Sequence, residues 1–157
     1  GLKRVHPALP SSLLDVMEGR FARRAESEVL WKLAREGKTI VSGADKVEVP
    51  PGEYTVMIDC TADWCATCKT LEATVLDTKP IREKIAENRI ILLQADWTDE
   101  APEVTTFLDW LGFRQVPVLA IFPAGRPNEP IVFTGFYTQD ELLEALDAAG
   151  PTRLNGT

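Results

Sequence analysis

At 157 residues the chain is long enough for one domain with a real hydrophobic core, so folding does not require a disulfide staple. Hydrophobic residues make up 45% and charged residues 26%, a globular composition that excludes a disordered or fibrous chain. A net charge of −7 argues against nucleic acid as a partner, because affinity there comes from Lys and Arg neutralising phosphates. No run of eighteen apolar residues occurs, so no direct membrane insertion is expected.

The opening stretch GLKRVHPALPSSLL has neither the apolar core nor the small-residue cleavage site of a signal peptide. It also lacks an initiator Met, which points to a processed or excised piece of a longer protein. Residues 1–45 are polar and charged and read as a helical extension or linker. SSLLDVMEG is a short helix candidate capped by Ser11 or Ser12. ARRAESEVLWKLAREGK is a stronger one, with Ala25, Val29 and Leu33 on one stripe, Trp31 in the same helix, and a stop at Gly37.

From residue 46 to about 150 strands alternate with helices, and residues 151–157 are left as a tail. YTVMIDC is an apolar run with one acid, the pattern of a strand buried on both faces. A helix follows over Cys65–Leu76, and Pro80 opens a second through Ala86. RIILLQAD is another buried strand. Asp99 is expected to cap a helix that holds Pro102 near its first turn and runs to Gly112. VPVLAIF and IVFTGF are two further strands joined by a turn, which implies an antiparallel edge. Thr138 to Glu141, TQDE, is a capping box ahead of the last helix. The order predicts an α/β fold with a mixed central sheet flanked by helices on both faces.

All three cysteines fall within the stretch DCTADWCATCK. Cys65 and Cys68 form a C-x-x-C where a buried strand feeds a helix, a spacing that lets the pair close a disulfide and carry two electrons. Cys65 stands at the helix N-terminus, where unsatisfied N–H groups and the macrodipole favour a thiolate. It is the expected nucleophile, and Cys68, one turn inward, the resolving thiol. Metal readings fail on ligand supply: His6 is the only histidine, so a closed zinc site lacks its fourth ligand. The C-x4-C-x2-C made with Cys60 resembles a plant-type iron–sulfur spacing but has no fourth cysteine. No cofactor and no metal is expected. Cys60 reads as a small buried hydrophobe whose side chain points away from that of Asp59.

TADWCATCK, the acid Asp59 six residues before Cys65, and Val116-Pro117 opening a later strand together resemble the thioredoxin superfamily. More narrowly, ADWCATCKTLE with LLQADWT and the closing VPV…TGF segment is similar to the C-terminal thioredoxin-like domain of DsbD-type thiol:disulfide interchange proteins. The resemblance covers Val47 to Ala149. It implies a thioredoxin fold, a cis Val116-Pro117 bond, and a placement of Val116 beside the cysteines where an extended peptide docks. It also matches Asp59 and Glu72 to acids near the active cysteines. A buried carboxylate is costly enough to hold a proton, so Asp59 is the expected acceptor and donor for the Cys68 proton. Glu72 follows Cys68 by four residues and shares its helical face. Leu92 stands where many thioredoxins carry a Lys that reaches the acid.

These acids oppose the helix dipole, and Lys69, a solvated surface charge, offsets them only in part, so the expected nucleophile is modestly activated until a partner docks. Trp64 shapes the docking surface, whereas Trp97 and Trp110 are core or loop anchors. The resemblance implies a monomeric thiol–disulfide oxidoreductase that passes electrons, as reductant, from a membrane-embedded or soluble dithiol donor to oxidised partner proteins. It places the chain on the periplasmic side of the bacterial cell envelope, as a domain of a membrane protein. The rival expectations are a free-standing, broad-substrate reductase or isomerase and a non-catalytic peptide-binding module.

Overall fold

The computed structural model describes residues 23–24, 47–48, 52–100, 102–126 and 129–154. Its centre is a four-stranded sheet of β4 (Val56–Thr61), β5 (Ile91–Asp96), β6 (Val118–Phe122) and β7 (Ile131–Thr134), ordered β5-β4-β6-β7. β4 runs parallel to β5 and antiparallel to β6, and β6 is antiparallel to β7. The sheet is therefore mixed, with the turn-linked pair at one edge as the sequence implies.

The helices are α1 (Ala66–Leu71), α2 (Lys79–Glu87), α3 (Pro102–Leu111) and α4 (Gln139–Ala149). Strand parity divides the interior into two cores. Val56, Ile58 and Cys60 of β4 face Val104, Phe107 and Leu108 of α3. Met57 faces the other way, toward Leu71, Ile81, Ile85, Leu142 and Leu146 on α1, α2 and α4. Helices thus cover both faces, as predicted. Each fully buried Leu, Ile or Phe contributes about 1.5–3 kcal/mol of transfer free energy, so these two clusters dominate folding.

Where the sequence predicts one helix over Cys65–Leu76, the chain forms α1 and then a π-helical turn over Glu72–Leu76. The turn admits one extra residue per backbone bond, and Asp77 N–H bonds Glu72 O at 2.7 Å across it. Helix α3 begins at Pro102, too late for Asp99 to cap it; its cap position falls outside the described residues. The expected stop at Gly112 is borne out, with Gly112 at φ +94° and Phe113 N–H returning to Leu108 O. The capping box of α4 is complete, Thr138 and Glu141 each accepting the other's backbone N–H through their side chains.

A short antiparallel ladder of β3 (Gly52–Glu53) and β8 (Arg153–Leu154) ties the end of the described chain to the start of the domain. The buried Thr55 reinforces it, its hydroxyl donating to Gly150 O and accepting from Ala124 N–H. The helix expected around Ser11 lies outside the described residues, as does most of the helix expected after Ala22. Two of its residues differ from that expectation: Arg23–Arg24 are extended as β1 and pair in parallel with β2 (Val47–Glu48).

Candidate functional site

β4 delivers the site. Its last residues carry Asp59, Cys60 and Thr61, and the chain then turns through Ala62–Trp64 into α1. Cys65 is the N-cap of that helix, in extended conformation, and its Sγ accepts the Cys68 N–H at 3.1 Å. Cys65 and Cys68 are joined in a disulfide with their Cα atoms 5.3 Å apart, a separation at which such a bond closes with little backbone movement. Both are buried, Cys65 at 7% exposure and Cys68 at 4%, in a small cluster with Ala62 and Val116.

The Val116-Pro117 bond is cis, and Val116 packs on the cysteine pair, as the resemblance implies. Pro117 O accepts the N–H of Gly135 at 3.4 Å. Gly135 holds φ +69°, a conformation glycine adopts without penalty, and this bend brings the next residue, Phe136, to the neighbourhood of the cis-proline loop. Phe136 is 70% exposed and Trp64 59% exposed; they are the exposed large hydrophobic residues among those described. Sequence reasoning missed Phe136, because nothing in the motif shows that residues 117 and 135 meet.

Trp64 is exposed yet held. Its Nε1–H donates to Thr98 O at 3.1 Å, its ring lies 6.2 Å from that of Trp97, and Asp63 N–H donates to Thr98 Oγ1 at 2.9 Å. Thr98 is fixed in turn by Asp96, whose carboxylate accepts both its N–H and its hydroxyl. Trp97 is buried, with its Nε1–H on Thr105 Oγ1 at 2.8 Å, and so anchors this loop. The DWT that closes β5 therefore clamps the DW before the cysteines, a second contribution the sequence motif does not display.

Asp59 is the one partly exposed residue of β4 and lies on the Met57 face, opposite to Cys60. Burial first, then the negative charge of Glu72, push its carboxyl up to about 7, while Lys69 pulls the other way. Glu72 opens the π-helical turn and is half-buried, with its N–H on Cys68 O and Lys69 O. Lys69 itself is exposed and pairs with exposed Asp63 at 3.6 Å, an ion pair of small energetic weight. Leu92 sits across from Met57, and the residue opposite Asp59 on β5 is the buried Gln94. A neutral amide thus stands beside the acid. Cys60 is a free thiol with no exposure, pushed well above its ordinary range by burial and by Asp59, so it remains protonated and inert.

A Cys65–Cys68 disulfide closed at a helix start is the equipment for two-electron thiol–disulfide exchange. Residues 53–124 match a family model described as thioredoxin-like. An M-type chloroplastic thioredoxin from Spinacia oleracea is 31% identical over 134 residues, 84% of this chain and 68% of that protein. The chain belongs to the thioredoxin superfamily. Within that superfamily it is also similar to the thiol:disulfide interchange protein DsbD of Vibrio cholerae, 32% identical over 97 residues, which are 61% of this chain. The chain spans only 16% of that relative's length. Among solved structures, the oxidised C-terminal domain of Neisseria meningitidis DsbD shares the fold at a TM-score of 0.52 and 22% identity, covering 82% of this chain and 99% of that one. Its Cys65–Cys68 pair makes this thioredoxin-superfamily chain a thiol–disulfide oxidoreductase.

Proposed function

We propose that this chain works as a reductant in an electron relay, taking electrons from a dithiol donor and passing them to oxidised partner proteins. The observation that carries the reading is the Cys65–Cys68 disulfide at a helix start, with Asp59, held near neutrality by burial and Glu72, on the strand that leads into it. In the reduced form the Cys65 thiolate attacks a partner disulfide. A Cys65–partner bond forms, and the displaced partner sulfur leaves as a thiolate that takes up a proton. Asp59 then removes the Cys68 proton. The Cys68 thiolate attacks Cys65 Sγ, the Cys65–Cys68 bond forms, and the second partner thiol is released. Two electrons have moved to the partner, and a donor dithiol restores the starting state by the reverse exchange.

Because Asp59 must be ionised to accept that proton, resolution slows as pH falls through about 7. Glu72 acts on this step by keeping Asp59 from ionising too readily. Trp64, Val116, Pro117 and Phe136 form the apolar rim on which an extended segment of the partner lies. The similarity to DsbD supports a place on the periplasmic side of a bacterial cell envelope, as a domain of a membrane protein with its donor in a membrane-embedded part. The chain acts as a monomer.

Trapping tests the reading. Cys68→Ala, reduced and mixed with oxidised envelope proteins, is expected to accumulate a dithiothreitol-sensitive covalent complex through Cys65. The reading fails if no complex forms while Cys65 still reacts with a small alkylating reagent. A free-standing, broad-substrate reductase is the second reading, favoured by the thioredoxin match over 84% of the chain. It requires reduction of unrelated disulfides, such as those of insulin, as fast as those of any dedicated partner.

A further inference from the structure

Two buried side-chain oxygens among the described residues have no hydrogen-bond partner, Thr61 Oγ1 and Tyr137 OH. Such orphans are uncommon, since an unmade hydrogen bond in an interior costs about 1–3 kcal/mol. Both lie on the Asp59 side of β4. Thr61 follows Asp59 by two residues on β4, so the two side chains leave the same face of the strand with Cα atoms about 6.6 Å apart. Tyr137 reaches that face from the loop between β7 and α4, and is 5% exposed. Its ring packs on Phe133 at 5.2 Å. Phe133 pairs with Leu119, and Leu119 pairs with Asp59, so the phenol stands over the row of side chains that contains the acid. The two groups feel one another, the Asp59 charge adding to burial in raising the phenol above its ordinary range.

We propose that Tyr137, assisted by Thr61, is a positioning residue whose hydroxyl donates to the Asp59 carboxylate once that acid has released its proton. The inference rests on Asp59 as the acceptor of the Cys68 proton. A protonated carboxyl can leave both hydroxyls idle, whereas a carboxylate largely withdrawn from water gains from donors, and hydrogen bonds to the charged form favour it. Few other groups can serve. Around Asp59, α1 presents Lys69, and the π-helical turn presents Glu72. β5 presents the neutral Gln94, while β6, β7 and α4 present Leu119, Phe133, Leu142 and Leu146. Lys69 is engaged with Asp63 at the surface, and Glu72 is repulsive. The two hydroxyls therefore supply the donor strength that lets Asp59 alternate between its forms near neutrality.

The test is a pH titration of the Asp59 carboxyl by 13C NMR on the reduced chain, with the pH profile of mixed-disulfide resolution measured beside it. Tyr137→Phe removes one oxygen and keeps the ring. It is expected to move the Asp59 midpoint upward by about one pH unit, which is a tenfold lower ionised fraction at pH 6. The resolution profile should move by the same amount, and Thr61→Val should cause a smaller shift in the same direction. An unmoved Asp59 midpoint in folded Tyr137→Phe overturns the proposal, since a merely structural tyrosine alters stability and not this titration. Should Tyr137→Phe fail to fold, an unmoved midpoint in Thr61→Val overturns it. Asp59→Asn separates the two readings. If that variant resolves at the wild-type rate, Asp59 is not the proton acceptor, while a shifted titration in Tyr137→Phe still establishes the hydroxyl as its donor.

Discussion

Asp59 and Cys60 are neighbours in sequence whose side chains leave opposite faces of β4, and this separates the acid proposed for proton transfer from the buried thiol. Cys60 enters the apolar cluster under α3, whereas Asp59 leaves the strand on the Met57 face and stays partly exposed. The role proposed for this carboxyl carries a cost. Raising it from an ordinary 3.8 to about 7 is an ionisation penalty of about 4 kcal/mol, by the equivalence of one pKa unit with 1.36 kcal/mol. Between about pH 4 and pH 7 the native chain binds a proton that the unfolded chain has lost, so stability falls as pH rises through this window. Asp59→Asn is therefore expected to stabilise the protein at pH 8 by a few kcal/mol relative to wild type, and by little at pH 4. Urea unfolding at the two pH values measures it. Equal effects at both would mean that the native carboxyl ionises where the unfolded one does, with no upward shift.

At the scale of elements, the sequence displayed what depends on short-range pattern and hid what depends on register. The apolar runs of β4, β5 and β6 and the Thr138–Glu141 capping box were legible because each is written in consecutive residues. Gln94 as the neighbour of Asp59 was not, since a strand's partner is chosen by the pairing of two segments about 35 residues apart. The π-helical turn was also hidden, as Glu72–Leu76 reads as ordinary helix until tertiary contacts such as Gln139 Nε2–H on Thr74 O are known. The clamp by the loop after β5 belongs at this scale. Thr98→Val deletes the acceptor for Asp63 N–H and the donor to Asp96, and is expected to cost about 1–2 kcal/mol in urea unfolding. The same variant should speed exchange of the Trp64 indole N–H, which an unchanged rate would contradict.

At the scale of the whole molecule, the proposed docking rim draws on three chain segments: Trp64 before α1, Val116 before β6 and Phe136 after β7. Phe136→Ser is expected to weaken partner engagement about tenfold, read as a higher KM for an oxidised protein. The rate at which a small reagent alkylates reduced Cys65 should stay as in wild type. A parallel fall in both rates would mean that the phenylalanine supports the fold and not the encounter. The exposed indole of Trp64 adds a kinetic consequence. A side chain ordered only on binding surrenders about 0.5–1.5 kcal/mol of rotamer freedom at that moment. Because Thr98 and Trp97 already fix this ring, that loss is met during folding, and each successive partner encounters a finished aromatic edge.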